Sequence, residues 1–318
     1  MRTLKEHISF PNVKLLSPSE NKIGKYILAM EKLGPNLYEI FKLRNRKFSL
    51  KTVCMIMDSI LDLASYLSMK GIVHRDIKPE NFCVGGENLD RIYMIDFGLS
   101  RHFIGKEGQH KPLSNNRGFV GTPRYASKNA HLGISQSRRD DVESIGYLSL
   151  FFMTGKLPWQ NIKVKDKVQK HNILHQYKNS MSIEKICEGL PYEFAQYLGY
   201  ARNMAYNQLP DYDRLRNFFK GMAKRHGLEF DYKWDWSETQ KFKDIVVDFQ
   251  KTREAARGSK ISSTVALSQQ NLSSHPNQVN KYMFTKKDSL FSKVSNHFEN
   301  SNSKPIEESG GLDSPSLG

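Results

Sequence analysis

The sequence predicts an α+β fold, a mainly helical body with a little β-structure at its N-terminal side. Three observations carry this. Short apolar runs bounded by turn residues crowd the front of the chain. One uninterrupted helical periodicity spans residues 50–70, and from residue 141 onward the periodicity is helical only.

The elements follow in order. Residues 12–16 and 25–30 read as two strands, split by the turn-forming Ser17-Pro18-Ser19-Glu20-Asn21. For the helix at 50–70, Ser49 offers the N-cap and Gly71 the C-terminal stop. Its apolar face is Val53, Ile56, Met57, Ile60, Leu61, Ala64 and Leu67. Residues 82–84 and 91–95 are short apolar segments around Gly85-Gly86 and predict a small hairpin. Four helices are expected at about 141–153, 168–178, 192–204 and 212–226, with Pro158, Pro191 and Pro210 in the connections or at helix starts. Near Gly258 the composition turns to Ser and Asn without apolar periodicity, which predicts a disordered tail over 258–318 carrying many possible phosphorylation sites, either a plain solvated tail or a regulatory one.

Composition bounds the function. The chain has 318 residues with 38% hydrophobic and 25% charged side chains, which suits a packed globular body. No apolar run reaches the ~18–20 residues of a membrane span, and no signal peptide is evident at the polar start. Three widely spaced cysteines, Cys54, Cys83 and Cys187, argue against a disulfide framework and fit a reducing compartment, the cytoplasm or the nucleus. Net charge is +15, of which the residues from Gly258 on supply six lysines against five acids. The excess therefore sits on the folded body and implies an anionic partner: nucleic acid, an anionic membrane surface, or acidic or phosphorylated protein.

The chemistry lies between the long helix and the later ones. His74-Arg75-Asp76-Ile77-Lys78-Pro79-Glu80-Asn81 precedes the hairpin, and Asp96-Phe97-Gly98 follows it. Either string alone is commonplace. In this order and separation they are the catalytic loop and magnesium motif of protein kinases. Phosphoryl transfer rewards positioning and charge stabilisation. Asp76 is expected to orient the substrate hydroxyl and accept its proton, Asn81 and Asp96 to hold Mg2+, and Lys78 to offset charge on the transferred phosphoryl group. Gly121-Thr122-Pro123-Arg124-Tyr125-Ala126-Ser127 would close the activation segment, with the Thr122 hydroxyl bonding Asp76 and Lys78. Asp141 reads as a structural carboxylate that holds the catalytic-loop backbone.

Further strings sharpen the likeness. They are Leu33-Gly34-Pro35-Asn36-Leu37, Arg46-Lys47-Phe48-Ser49-Leu50-Lys51-Thr52-Val53, His131-Leu132-Gly133-Ile134, Ser137-Arg138-Arg139-Asp140-Asp141, Leu157-Pro158-Trp159-Gln160 and Pro210-Asp211-Tyr212. Tyr125-Ala126-Ser127 stands where other kinases have Ala-Pro-Glu. Over about residues 10–236 the chain resembles the casein kinase I family of Ser/Thr protein kinases. The resemblance implies a protein-kinase-like fold, mainly the helical large lobe with a truncated small-lobe β-sheet. It implies ATP and Mg2+ as cofactors, and a monomer. It places Met30, Glu31, Leu33 and Glu39 at the nucleotide, with Met30 as gatekeeper and 31–33 as hinge. Acidic or phospho-primed protein substrates are implied, held by an anion pocket at Arg124 and Lys170, with Lys163 and Lys167 nearby. An ordinary solvated basic face is the plain alternative for these four.

One departure stands out. Before Pro35 only Gly24 and Gly34 occur, so no Gly-x-Gly-x-x-Gly is possible there, and no lysine follows a Val-Ala-Ile run. The expectation is a small lobe lacking its first strands and helix, with slow turnover, from an incomplete gene model, a decayed paralogue or a true pseudokinase. The expected organisation is small-lobe remnant and hinge 1–33, large lobe 34–240, helical extension 241–257 and tail 258–318. An inactive scaffold for phosphorylated partners is the alternative function. Nucleic-acid binding rests on charge alone, with no recognised module to support it.

Overall fold

The computed structural model describes residue 4 and residues 6–20, 24–86, 89–160, 162 and 167–269. It divides into two units, 1–258 and 259–318. Among the described residues the first unit begins with an antiparallel pair, β1 (Val13–Leu16) and β2 (Ile27–Met30), in the register Val13 to Met30 and Leu16 to Ile27. The segment after β2 is bonded to the chain around Val84. Gly34 N–H donates to Val84 O at 2.8 Å, and Val84 N–H donates to Pro35 O at 3.0 Å.

Helix α1 (Leu37–Leu43) starts in a capping box. Asn36 Oδ1 accepts from Glu39 N–H, and Asn36 N–H donates to Glu39 Oε2. Helix α2 (Leu50–Met69) is capped by Ser49, whose Oγ accepts from Thr52 N–H. It ends ahead of Gly71, whose φ of +71° only glycine adopts freely. The helix is long and apolar enough to cross a membrane by length and composition. The run-based reading missed this because Asp58 and Asp62 break the run without polarising the helix as a whole. Here α2 is a mostly buried core helix, and its Asp58 is bonded by the fork of Arg216, Nε at 2.7 Å and Nη2 at 3.1 Å.

The expected hairpin is β4 (Phe82–Gly85) with β5 (Arg91–Met94), registered Phe82 to Met94. A smaller pair, β3 (Ile72–Val73) with β6 (Arg101–His102), brackets the loops that carry the chemistry. The helices are α3 (Lys128–His131), α4 (Arg138–Thr154), α5 (Lys167–Ser180), α6 (Ile183–Ile186), α7 (Tyr192–Asn203), α8 (Tyr212–Arg225) and α9 (Gln240–Gln269). Helix α4 starts earlier than its apolar pattern, because Asp140 Oδ2 accepts from Ser137 N–H and fixes the first turn. The core runs through α2, α4, α7 and α8 and closes under Trp234 and Trp236, which stack 5.1 Å apart.

One expectation is corrected. Loss of order was placed at Gly258, but the backbone stays helical to Gln269. Once a helix is nucleated each added residue costs little, and no proline interrupts the chain between α9 and Pro276. Residues 270–318 of the expected tail, and Lys163, lie outside the described residues. The cysteines, by contrast, are free and buried as their spacing predicted, with burial pushing Cys54 and Cys83 up to about 12 and Cys187 to about 11.

Candidate active site

The catalytic loop is built from a carboxylate of α4 upward. Asp141, in the first turn of α4, accepts His74 N–H at 2.6 Å on one oxygen and Arg75 N–H at 2.8 Å on the other. Its carboxyl is pushed up to about 7 by burial, and the two N–H bonds pull it back. Arg75 takes a left-handed φ of +68°, held by these contacts. His74 is buried; its Nδ1 accepts from Asp76 N–H and its Nε2 faces Ile95 O at 3.1 Å. That pairing puts the ring proton on Nε2, and burial lowers the imidazole pKa, so His74 is a neutral strut.

Asp76 is 5% exposed and has both oxygens engaged. Thr122 Oγ1 donates to Oδ1 at 2.7 Å; Lys78 Nζ donates to Oδ2 at 2.6 Å, and Asn81 Nδ2 approaches Oδ2 at 3.3 Å. Asn81 Nδ2 also donates to Asp76 O at 2.8 Å. These bonds lock the carboxylate rotamer. The expected bond between Thr122 and Lys78 is not formed: both groups converge on Asp76 from opposite sides, and the lysine ammonium prefers the charged oxygen to a hydroxyl. Gly121 makes the approach possible. Its φ is +113°, and a Cβ there would lie 2.6 Å from Arg75 O, so only glycine lets the activation segment press against the catalytic loop.

The donors expected for magnesium fit a hard cation. The amide nitrogen of Asn81 is turned to Asp76, which leaves its Oδ1 as acceptor. Asp96 is exposed at a φ of +61°, with Oδ1 accepting Gly98 N–H at 3.2 Å. One carboxylate and one amide oxygen suit Mg2+, which takes its other ligands from phosphates and water. Among the described residues no cluster of three or more His, Cys, Asp or Glu could hold a metal without such help.

At the nucleotide end, Met30 closes β2 and is 48% exposed. Glu31 is tied back, its N–H donating to Asn12 O and its Oε2 accepting from Asn12 Nδ2. The side chain of Leu33 packs at Gly85, where a Cβ would meet it at 2.9 Å. Glu39, expected at the nucleotide, also serves as a helix cap. Its Oε2 closes the capping box of α1, and burial raises its carboxyl pKa. The Asn-x-x-Glu spacing at 36–39 already signals the cap.

Arg124 and Lys170 fall on the wall of the same cavity. Its volume is about 320 Å3, and Glu80, Tyr125, Trp159 and Leu174 also line it. Glu80 Oε2 and Tyr125 Oη there are buried without a hydrogen-bond partner. Trp159 Nε1 donates to Arg124 O at 2.7 Å and fixes the peptide from below. The side chain of Lys167 is outside what the structure describes.

A family model described as the protein kinase domain matches residues 2–283. The chain belongs to the protein kinase domain family. This kinase is thereby an ATP-binding transferase that phosphorylates protein, in a family that generally uses ATP and Mg2+. Sequence reasoning found the loop residues by motif; it gave no role to Glu80 or Tyr125, which lie inside those motifs, and it missed Lys178, which has no local signature.

Proposed function

We propose that this kinase is a Ser/Thr protein kinase of the casein kinase I type, acting on acidic or phospho-primed protein. The observation that carries the proposal is the pair of bonds on Asp76, from Thr122 and Lys78, beside a cavity walled by Arg124 and Lys170. Asp76 orients a substrate hydroxyl and takes its proton as the hydroxyl oxygen bonds to the γ-phosphorus. The bond from that phosphorus to the β–γ bridging oxygen breaks, and ADP leaves. Lys78 offsets charge on the transferred group. Asn81 and Asp96 would hold Mg2+, which neutralises phosphate charge. The hinge at Glu31 to Leu33, next to the gatekeeper Met30, receives the base. One wall of the substrate site is cationic, so a phosphate or carboxylate near the acceptor gains charge-assisted bonds, with Arg124 able to bind it through two N–H groups.

The test uses matched peptides, primed and unprimed, with ATP and Mg2+. Asp76→Asn should lower kcat by at least ~10³-fold with peptide binding retained. Arg124→Ala with Lys170→Ala should erase the preference for the primed peptide and spare turnover of the unprimed one. Equal use of both peptides by the wild type would refute the substrate class. Binding of primed peptide without any phosphoryl transfer would establish the scaffold reading instead.

A further inference from the structure

Lys178 is fully buried, with 0% of its surface exposed. A lysine this deep needs partners, because an unpaired ammonium out of water costs several kcal/mol. Its Nζ donates to Pro123 O at 2.9 Å and Ala126 O at 2.6 Å, and His131 Nε2 lies 3.0 Å away. Three acceptors match the three N–H groups of an ammonium. The rings of Trp159 and Tyr147 face the cation at 4.9 Å and 5.1 Å. Burial pushes the ammonium down to about 7, and the nearby Glu143 carboxylate pulls it back.

Two of these acceptors, Pro123 O and Ala126 O, belong to the stretch that carries Thr122 and Arg124; the third, His131, ends α3. Arg124 O, between the two bonded carbonyls, accepts from Trp159 Nε1 at 2.7 Å and, at the longer distance of 3.5 Å, from Lys178 Nζ. The peptides of 123–126 are thus drawn inward, while the Arg124 side chain lines the cavity. Lys170, Leu174 and Lys178 fall at i, i+4 and i+8 on α5, one face of one helix. The upper two line the cavity and the lowest grips the loop from beneath.

We infer that Lys178 is a positioning residue for substrate recognition: it ties the peptide bearing Arg124 to the helix bearing Lys170 and so sets the spacing of the two cations that take the substrate's anionic group. This rests on the substrate class proposed above. His131 extends the tie. Its Nε2 accepts from Lys178, so its proton sits on Nδ1, 3.3 Å from His171 Nδ1. Phe119 of the activation segment stacks on both rings, 5.1 Å and 4.1 Å between centroids.

Lys178→Met in the full chain tests this, with two readouts. Amide hydrogen exchange over residues 119–127 should quicken by ~10-fold or more, while exchange in α2 and α8 stays as in the wild type. KM for the primed peptide should rise ~10-fold with KM for ATP unchanged. Lys178→Gln, which keeps two N–H donors, should fall between Met and wild type, and serves if the Met variant does not fold. Unchanged loop exchange and peptide KM in a folded variant would overturn the inference. So would a parallel fall of melting temperature, ATP binding and peptide binding, the mark of a purely structural lysine. Loss of the proposed substrate class shows separately, as a wild type indifferent to priming, whereas loop exchange reads the tie itself.

Discussion

His131 shows how one residue can carry a pH dependence with a definite sign. Burial first, then the charges of Lys178, His171 and His175 on α5, hold its imidazole down to about 2, against an ordinary value of 6.5. As pH falls below about 6.5 the unfolded chain takes up a proton that the folded chain refuses, so stability falls with it. Asp140 and Asp141, raised by burial to about 6 and about 7, run the other way. In the window from about 4 to 7 the folded state binds their protons and the unfolded state does not. The discriminating measurement is therefore a difference. The denaturation midpoint should fall less steeply between pH 7 and 5 in His131→Asn than in the wild type, and parallel slopes would show that His131 is not the refused proton.

At the scale of elements, the catalytic loop is held by ends of helices. Helix α4 presents Asp141 to two backbone N–H groups, and α1 anchors the hinge through the box at Asn36 and Glu39. Helix α1 buries Leu37, Ile40 and Phe41, so loosening its first turn taxes the packing behind it. Asn36→Ala removes the side-chain acceptor and should cost about 1 kcal/mol. In urea this should read as a lower midpoint with an unchanged slope. A changed slope would mean that the hinge segment unfolds separately from the body. The Ser49 cap of α2 was legible in the sequence because it works within three residues, whereas α1 and its box at Asn36 and Glu39 were not read there. Helices α3 and α6 were not, being single turns set by what packs on them.

Across the whole molecule, the described core runs from Leu4 to Phe249, inside the first unit. A chain ending at Gly258 is expected to unfold at the same temperature as the full chain and with equal cooperativity in calorimetry. A drop in midpoint would place part of the stabilising core beyond residue 258. The charge excess also belongs to this first unit, where many basic groups are already matched: Arg216 by Asp58 and Asp62, Arg225 by Glu193, Lys51 by Asp231. Net charge was therefore a blunt guide, and the cavity at Arg124 and Lys170 is the sharper one.

The sequence by itself determined the catalytic loop, the presence of the hairpin, the long helices and the ends of α2 at Ser49 and Gly71, since those depend on neighbours close in the chain. Only the tertiary structure decided which groups meet. Thr122 reaches Asp76 across 46 residues, and Glu39, expected at the nucleotide, also closes a cap. Lys178, one lysine in a polar helix, vanishes into the interior. The physical reason is that a charged side chain is written the same way whether it faces water or three acceptors. Its environment is supplied by segments far away in sequence, and those exist around it only once the core has formed.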